Sequence, residues 1–458
     1  MSNLFNTLRV KDTYTENGAL SNSTTLDVCL DYFSIAGCHC DMTEEFLKAF
    51  AVDPQLAMRI LFWSRDCRGG SGARITFQNV MKLLQSRYPE IFSKVFKYIP
   101  EFGYWKDIYK LASTSELVSF VADTLKNDND HSLCAKYCPR KGEWFYELRK
   151  KLNMNVPEFR HFIVNKTQVV ENYMCSNKWD DIPYNEVPSV AMNRYTKAFN
   201  NHDKNRFDAY LKSVLNGETK INSSVLYPSD LYKKFSPCKP EEFDSIRAQW
   251  NNLPDYMAGS TERILPICDV SGSMYGDPLC VSVALGCYIA ERNKSIFKDG
   301  FITFSQYPKL QYLQGDDIIS RFNQLNSADW GMNTDLESVF KLILNRALEN
   351  NLTEDDMPTK LLIISDMQFD ECSYNNYTNF EYIKKLYSDS GYKIPGIIFW
   401  NVRGRAGDVP ATMKDLDVAL VSGYSPSILT SVLQAKVLRP IETMLATVNA
   451  ERYSCIVL

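Results

Sequence analysis

Apolar residues in the first half of the chain recur at helical spacing. Phe77, Val80, Met81 and Leu84 fall at i, i+3, i+4 and i+7, as do Phe92, Val95, Phe96 and Ile99, so each set paints one stripe of a helix. Punctuation agrees. Asp53-Pro54 sets a capping carboxylate and a first-turn proline ahead of Ala57, Ile60 and Leu61, while Pro89 and Pro100 fall in the breaks. From Leu26 to Asp255 short helices follow one another through brief turns, which predicts a HEAT-like α-helical repeat array rather than a compact bundle. No sequence period is visible, so the repeats are expected to be degenerate.

Near Met257-Ala-Gly-Ser-Thr-Glu262 the pattern changes. Short apolar runs, Ile264 to Cys268, Phe301 to Phe304, Leu361 to Ser365, Ile394 to Trp400 and Val418 to Ser422, alternate with helical segments. The first of these helices starts at Asp277-Pro278 and carries Val281, Leu285, Tyr288 and Ile289 on one face. Such alternation predicts a mostly parallel, Rossmann-like sheet with helices on both faces. The expected organisation is multidomain, α and α/β: an N-terminal arm over 1–25, a helical array over 26–258, and an α/β domain over 259–458 that ends in a helical tail.

The chain has 458 residues, is 45% hydrophobic and 13% aromatic, and carries a formal charge of −4. Cores are affordable, but no global basic field advertises nucleic acid or anionic membrane, so polyanion binding must be local and no DNA specificity is expected. Thirteen cysteines, an odd number scattered among apolar positions such as Cys268, Cys280 and Cys287, read as reduced thiols, which points to the cytoplasm or nucleus. Cys38-His39-Cys40 has no second pair at zinc spacing. Met1-Ser-Asn-Leu-Phe5 lacks a basic, apolar leader pattern, and no run of about twenty apolar residues predicts a membrane span. The last residues, Cys455-Ile-Val-Leu458, have the form of a prenylation box, yet without a polybasic run they read as a terminal apolar strand.

Chemistry concentrates where Ile264-Leu-Pro-Ile-Cys268 breaks into Asp269-Val-Ser271-Gly-Ser273. One carboxylate and neutral hydroxyls at a strand end suit a hard cation, Mg²⁺ or Mn²⁺, and offer zinc neither imidazole nor thiolate. A strand-end turn whose Asp and Ser satisfy local backbone groups is the plain alternative. Two further segments add oxygen donors: Thr334 opens an amphipathic helix, and Asp366 follows the apolar run ending at Ser365. In this order and spacing the three segments resemble the metal-ion-dependent adhesion site of von Willebrand factor A domains. The resemblance implies that Asp269, Ser271 and Ser273 bind the ion from the first loop, Thr334 from the second, and Asp366 from the third, directly or through water. With a single charged direct ligand the ion keeps positive charge and seeks an anionic ligand from outside, a carboxylate or a phosphate, with an acidic group of a partner protein the expected one. Asp335 and Asp370 read instead as a helix cap and a loop carboxylate.

A second resemblance covers residues 40 to 430. Phe50-Ala-Val-Asp-Pro54, Phe62-Trp-Ser-Arg-Asp-Cys-Arg-Gly-Gly-Ser-Gly-Ala-Arg74, Gly103-Tyr-Trp-Lys-Asp-Ile108, Ser132-Leu-Cys-Ala-Lys-Tyr-Cys-Pro-Arg140, Val187-Pro-Ser-Val-Ala-Met192, Arg206-Phe-Asp-Ala-Tyr-Leu211 and Ile364-Ser-Asp-Met-Gln-Phe-Asp370 are similar to Ro (TROVE) ribonucleoproteins, and more so to their plant and viral relatives. The resemblance implies a helical ring joined by the A domain, with RNA on its basic surface. Arg65, Arg68 and Arg74 around Gly69-Gly-Ser-Gly72, with Lys136, Arg140 and Lys141, are then the RNA candidates, because a glycine-rich turn at a helix start flanked by arginines favours phosphate. Trp63, Tyr104, Trp105 and Tyr137 are candidate stacking platforms. Against this, the arginines could pair with carboxylates, the glycines could merely allow a sharp turn, and the aromatics could be core.

The expected function is a non-catalytic RNA-binding scaffold with a Mg²⁺-dependent ligand site. A metal-dependent protein adaptor without RNA is the alternative. A metal-dependent phosphoesterase or nuclease is a third class, disfavoured because Ser271 stands where a dehalogenase-type phosphatase needs a second Asp, and because His39, His131, His161 and His202 all lie far from the cradle in sequence.

Overall fold

The apolar stripes fold largely as their spacing dictates. In the computed structural model, which describes residues 13–129, 131–304, 308–327, 334–372, 377–434 and 438–458, Phe77, Val80, Met81 and Leu84 are all buried on one helix, Ile75–Arg87. Met1 to Phe5 and Gly331 to Asn333 lie outside the described residues. The second stripe is buried too, but its helix is wound in three pieces, Pro89–Val95, a 3₁₀ turn Phe96–Tyr98, and Ile99–Phe102. Pro100 therefore does not sit in a break. It occupies a first-turn position, where the N–H it lacks has no partner to lose. Asp53 caps the helix Pro54–Arg65 by accepting from the Leu56 N–H at 2.9 Å.

Helices of four to fourteen residues run from Val28–Ala36 to Phe243–Asn251. The α/β part holds a six-stranded sheet in the order β5-β4-β3-β6-β7-β8: β3 is Ile264–Cys268, β4 Gly300–Thr303, β5 Leu310–Tyr312, β6 Lys360–Ser365, β7 Gly396–Asn401 and β8 Val418–Ser422. All pairs are parallel except β4 with β5. β5 was not expected; at three residues with alternating exposure, its sequence carries too little signal to mark a strand. A small antiparallel hairpin, β1 (Thr13–Tyr14) and β2 (Leu20–Ser21), forms from the N-terminal arm.

The strands β3, β4, β6, β7 and β8 alternate their side chains between two cores. Leu265, Ile267, Leu361, Ile363, Ile397 and Phe399 face the helices Leu336–Glu349 and Asn379–Asp389. Leu362, Ile364, Ile398, Trp400, Ala419 and Val421 face the other way, into a core that also contains Leu30 and Phe33 of the first helix, Phe62 and Trp63, and Phe235 and Trp250 of the last helices before the sheet. The sequence boundary near 258 is thus not a boundary between cores. Both ends of the helical run pack on the α/β part: Val28–Ala36 lies against β8, and Pro228–Phe235 lies against Asp277–Arg292.

The C-terminal tail also joins this core. Pro440–Val448 packs on β8 and on the first helix. Cys455 to Leu458 do not form the expected strand. The segment lies along the helix Pro54–Arg65, where the Gln55 amide donates to the Ile456 carbonyl at 2.7 Å and accepts from the Leu458 N–H at 3.0 Å. All thirteen cysteines are free thiols. Among the described residues no helix is long and apolar enough to cross a membrane.

Candidate functional site

Strand register brings the first and third loops together. β3 and β6 are neighbours with Cys268 opposite Ile364, and the Asp269 N–H donates to the Ile364 carbonyl at 2.9 Å. The chain leaves β3 for β4 on one side and later returns to β6 on the other, so the carboxyl ends of β3 and β6 flank the point where strand order reverses. Open α/β sheets leave their ligand crevice there.

Asp269 is fully buried and Asp366 is 1% exposed. The Asp269 carboxylate accepts from the Ser271 N–H at 3.0 Å and from the Ser365 hydroxyl at 2.5 Å. Ser271 and Ser273, held by the 3₁₀ turn Gly272–Met274, have their hydroxyls 3.0 Å apart. Burial pushes the Asp269 carboxyl up to about 6; the nearby Asp366 charge adds to the rise, while the bonds from Ser365 and Ser271 oppose it. Asp366 accepts from the Gln368 N–H at 3.3 Å and has the Arg403 guanidinium 3.7 Å away. The next residue, Met367, is buried yet takes φ +68°, a conformation that costs free energy and collects at functional loops.

Thr334 is fully buried and reaches this end of the sheet through the third loop rather than the first. Its hydroxyl lies 2.8 Å from both the Gln368 carbonyl and the Asp370 carboxylate, and its N–H donates to Asp370 at 3.1 Å. Asp335 caps the helix Leu336–Glu349 through the Ser338 N–H at 2.8 Å. The structure therefore brings Asp269, Ser271, Ser273 and Asp366 together directly, and ties Thr334 to the loop that follows Asp366. Sequence reasoning missed Ser365, Arg403 and Gln368. Ser365 closes an apolar run and so carried a faint signal, whereas nothing in the sequence pairs Arg403 with Asp366.

The donor set fits a hard cation. It offers buried carboxylate and hydroxyl oxygens, and two adjacent buried carboxylates that a positive charge would relieve. Among the described residues no group of three or more His, Cys, Asp or Glu side chains is arranged to hold a metal ion, as a zinc or two-metal centre would require.

The helical candidates fare differently. Arg65 is fully buried in a two-nitrogen contact with Asp107, at 2.6 and 3.0 Å, and its guanidinium lies 5.0 Å from the Tyr104 ring centre. No phosphate can reach it. Arg68 is exposed, though one nitrogen donates to the Glu101 carbonyl at 2.5 Å. The glycine-rich turn is not a phosphate cradle: its N–H groups from Gly70 onward are already used, Gly70 and Gly72 donating to the Asp66 carbonyl, Ser71 to Trp63 and Ala73 to Ser64. Gly72 has φ +72°, and a Cβ there would come within 1.9 Å of the Tyr227 hydroxyl. The turn is a seam, where Asp66 also accepts from Arg452 and Tyr453 of the C-terminal tail. Lys136 pairs with Glu171 at 2.9 Å. Arg74, Arg140 and Lys141 are exposed. Of the aromatics, Trp63 is buried and Trp105 stacks on Phe120, whereas Tyr104 and Tyr137 are half-buried beneath basic side chains.

Two family models match the sequence. One, described as a domain of unknown function (DUF2828), matches residues 15–115 and 114–261; the other, described as a domain of unknown function (DUF7788), matches residues 263–453. The two matches meet where the helical run gives way to β3. An uncharacterised protein of Acanthamoeba polyphaga mimivirus is 26% identical over 495 aligned positions, which cover 94% of this chain and 86% of that relative.

Proposed function

The chain belongs to the DUF2828 family, a membership that brings no chemistry with it, and from the geometry we propose a non-catalytic binding scaffold that captures an acidic group of a partner protein through a Mg²⁺ or Mn²⁺ site. In this reading the α/β part is a von Willebrand A-like domain, and the helical run is a Ro-like (TROVE) array of HEAT-type repeats whose ends it joins into a ring. Asp269, Ser271, Ser273 and Asp366 hold the ion, with Thr334 as the remaining protein donor. When bound, the ion supplies a hard positive centre for an oxygen ligand from outside.

The observation that carries the reading is the pair of nearly inaccessible carboxylates, Asp269 and Asp366, at adjacent strand ends among hydroxyls. Two buried like charges are costly to keep side by side, and a cation is the usual remedy. Arg403, beside Asp366 and open to solvent, adds a donor for the same acidic ligand. Tyr275, 88% exposed on the crest of the first loop, offers an apolar contact at the rim. A non-catalytic role is supported by Ser271, which leaves the first loop without a nucleophile and acid pair.

The test is calorimetry with Mn²⁺ on the full chain. Asp269→Ala with Ser271→Ala is expected to abolish binding and leave the helical content intact; unchanged affinity overturns the cation reading. RNA on the helical face is a second reading, favoured by the exposed Arg74, Arg140 and Lys141. Charge reversal of these three should release RNA that copurifies at low salt, and the absence of such RNA removes this reading.

A further inference from the structure

Thr334, the donor expected from the second loop, is already engaged by the beginning of the chain. The N-terminal hairpin lies on the loop after β6. The Thr15 hydroxyl donates to the Phe369 carbonyl at 2.7 Å, the Glu16 N–H donates to the Gln368 side chain at 2.7 Å, and Gly18 bridges to Asp370. The Asn17 amide donates to both the Thr334 hydroxyl and the Gln368 carbonyl, each at 2.8 Å. The arm is fastened at two further places: Ala19 is buried in the core behind the sheet, and Asn22 bridges to Val409.

A hydroxyl oxygen has four tetrahedral positions, filled by its own carbon, one hydrogen and two lone pairs. Around the Thr334 oxygen, Cβ, the Asn17 nitrogen, the Gln368 oxygen and the Asp370 oxygen already stand at bonding or hydrogen-bonding distance. The single hydrogen is shared between the Gln368 and Asp370 oxygens and Asn17 takes one lone pair, so an ion reaches the oxygen only by displacing one of these neighbours. Beside Asn17 lies one further contact, and it is exposed: Glu16 pairs with Arg405, with 58% and 38% of the two side chains open to solvent.

Resting on the cation reading above, we propose that the hairpin is an intramolecular strap in which Asn17 withholds Thr334 from the cation shell, and that the Glu16–Arg405 pair is its catch. An acidic partner that draws Arg405 away from Glu16 would then complete the shell it binds to. The strap couples partner binding to ion affinity, and by linkage ion binding loosens the strap.

The test is Mn²⁺ titration of the full-length protein and its Asn17→Ala, Glu16→Ala, Thr334→Ala and Asn17→Ala/Thr334→Ala variants. Asn17→Ala should tighten Mn²⁺ by about three- to tenfold, the worth of one hydrogen bond. Glu16→Ala should tighten it less, and Asn17→Ala should have no effect when Thr334 is already Ala. Equal or weaker binding by Asn17→Ala overturns the strap and leaves the cation reading standing, whereas failure of every variant and of the unmodified chain to bind Mn²⁺ removes both. Amide exchange gives an independent readout. Residues 13–22 should exchange faster when Mn²⁺ is added to the unmodified chain but not to Asp269→Ala, and exchange unaltered by Mn²⁺ in the unmodified chain overturns the strap.

Discussion

The loop Asp269–Ser273 and the turn Gly69–Gly72 carry similar promise as sequences, each a small-residue break beside charged side chains, and the fold treats them oppositely. At the first, the buried carboxylates of Asp269 and Asp366 converge, held by the Ser271 N–H, the Ser365 hydroxyl and the Gln368 N–H, with the half-exposed Arg403 guanidinium beside Asp366. At the second, each N–H from Gly70 to Ala73 has an internal carbonyl partner, and Arg65 is buried against Asp107. The difference lies in how charge is matched: the first loop brings two buried carboxylates side by side, whereas the second sets each buried charge against an opposite one within the fold. Residue type at the right spacing is necessary for a ligand cradle and not sufficient.

The contrast is open to direct attack. If the glycine turn is a seam rather than a ligand site, breaking its buried pair must cost stability and nothing else: Asp107→Ala should lower unfolding free energy by about 3–5 kcal/mol in urea titration and leave Mn²⁺ affinity unchanged. A loss below about 1 kcal/mol would show that Arg65 is not anchored there.

His39 sharpens the same point through pH. Its ring stacks on Tyr424 and meets the Ser71 carbonyl of the turn at 3.4 Å, and burial lowers its pKa from 6.5 to about 4, with Lys233 and Arg74 acting in the same direction and Asp277 opposing. The folded state thus binds fewer protons than the unfolded chain between these values, so stability is lost as pH falls from about 6.5 toward 4. His39→Gln should flatten that part of the stability profile; an unchanged slope would place the titration elsewhere. The smallest effect is expected at Gly72, where Ala must adopt positive φ and displace the Tyr227 hydroxyl, lowering the melting temperature by the equivalent of about 1–3 kcal/mol. A neutral Gly72→Ala would mean that the turn is not constrained.

How far the sequence could be read follows from the range of the interactions involved. β3 and β8 were legible because each is a wholly buried apolar run bounded by polar residues. β5 was not, since its three residues alternate in exposure at a sheet edge. The Asp269 loop could be read from local spacing, but Ser365 answers Asp269 across 96 positions through strand register, and Asn17 reaches Thr334 across 317. The RNA candidacy of Arg65 fails for the same reason, and the alternative of a carboxylate partner holds: that partner is Asp107, 42 positions on and beyond the reach of local spacing.

The core shared by the two halves bears on how this chain comes into being. Leu30 and Phe33 on the first helix find their cover in β8 and in the helix Pro440–Val448, and Gln55 waits for Leu458. During translation the ribosome therefore delivers the apolar face of the first helix long before β8 and Pro440–Val448, which cover it. Contacts of such separation close slowly and leave sticky intermediates, so the nascent protein should depend on chaperones and should tolerate deletion of residues 439–458 poorly.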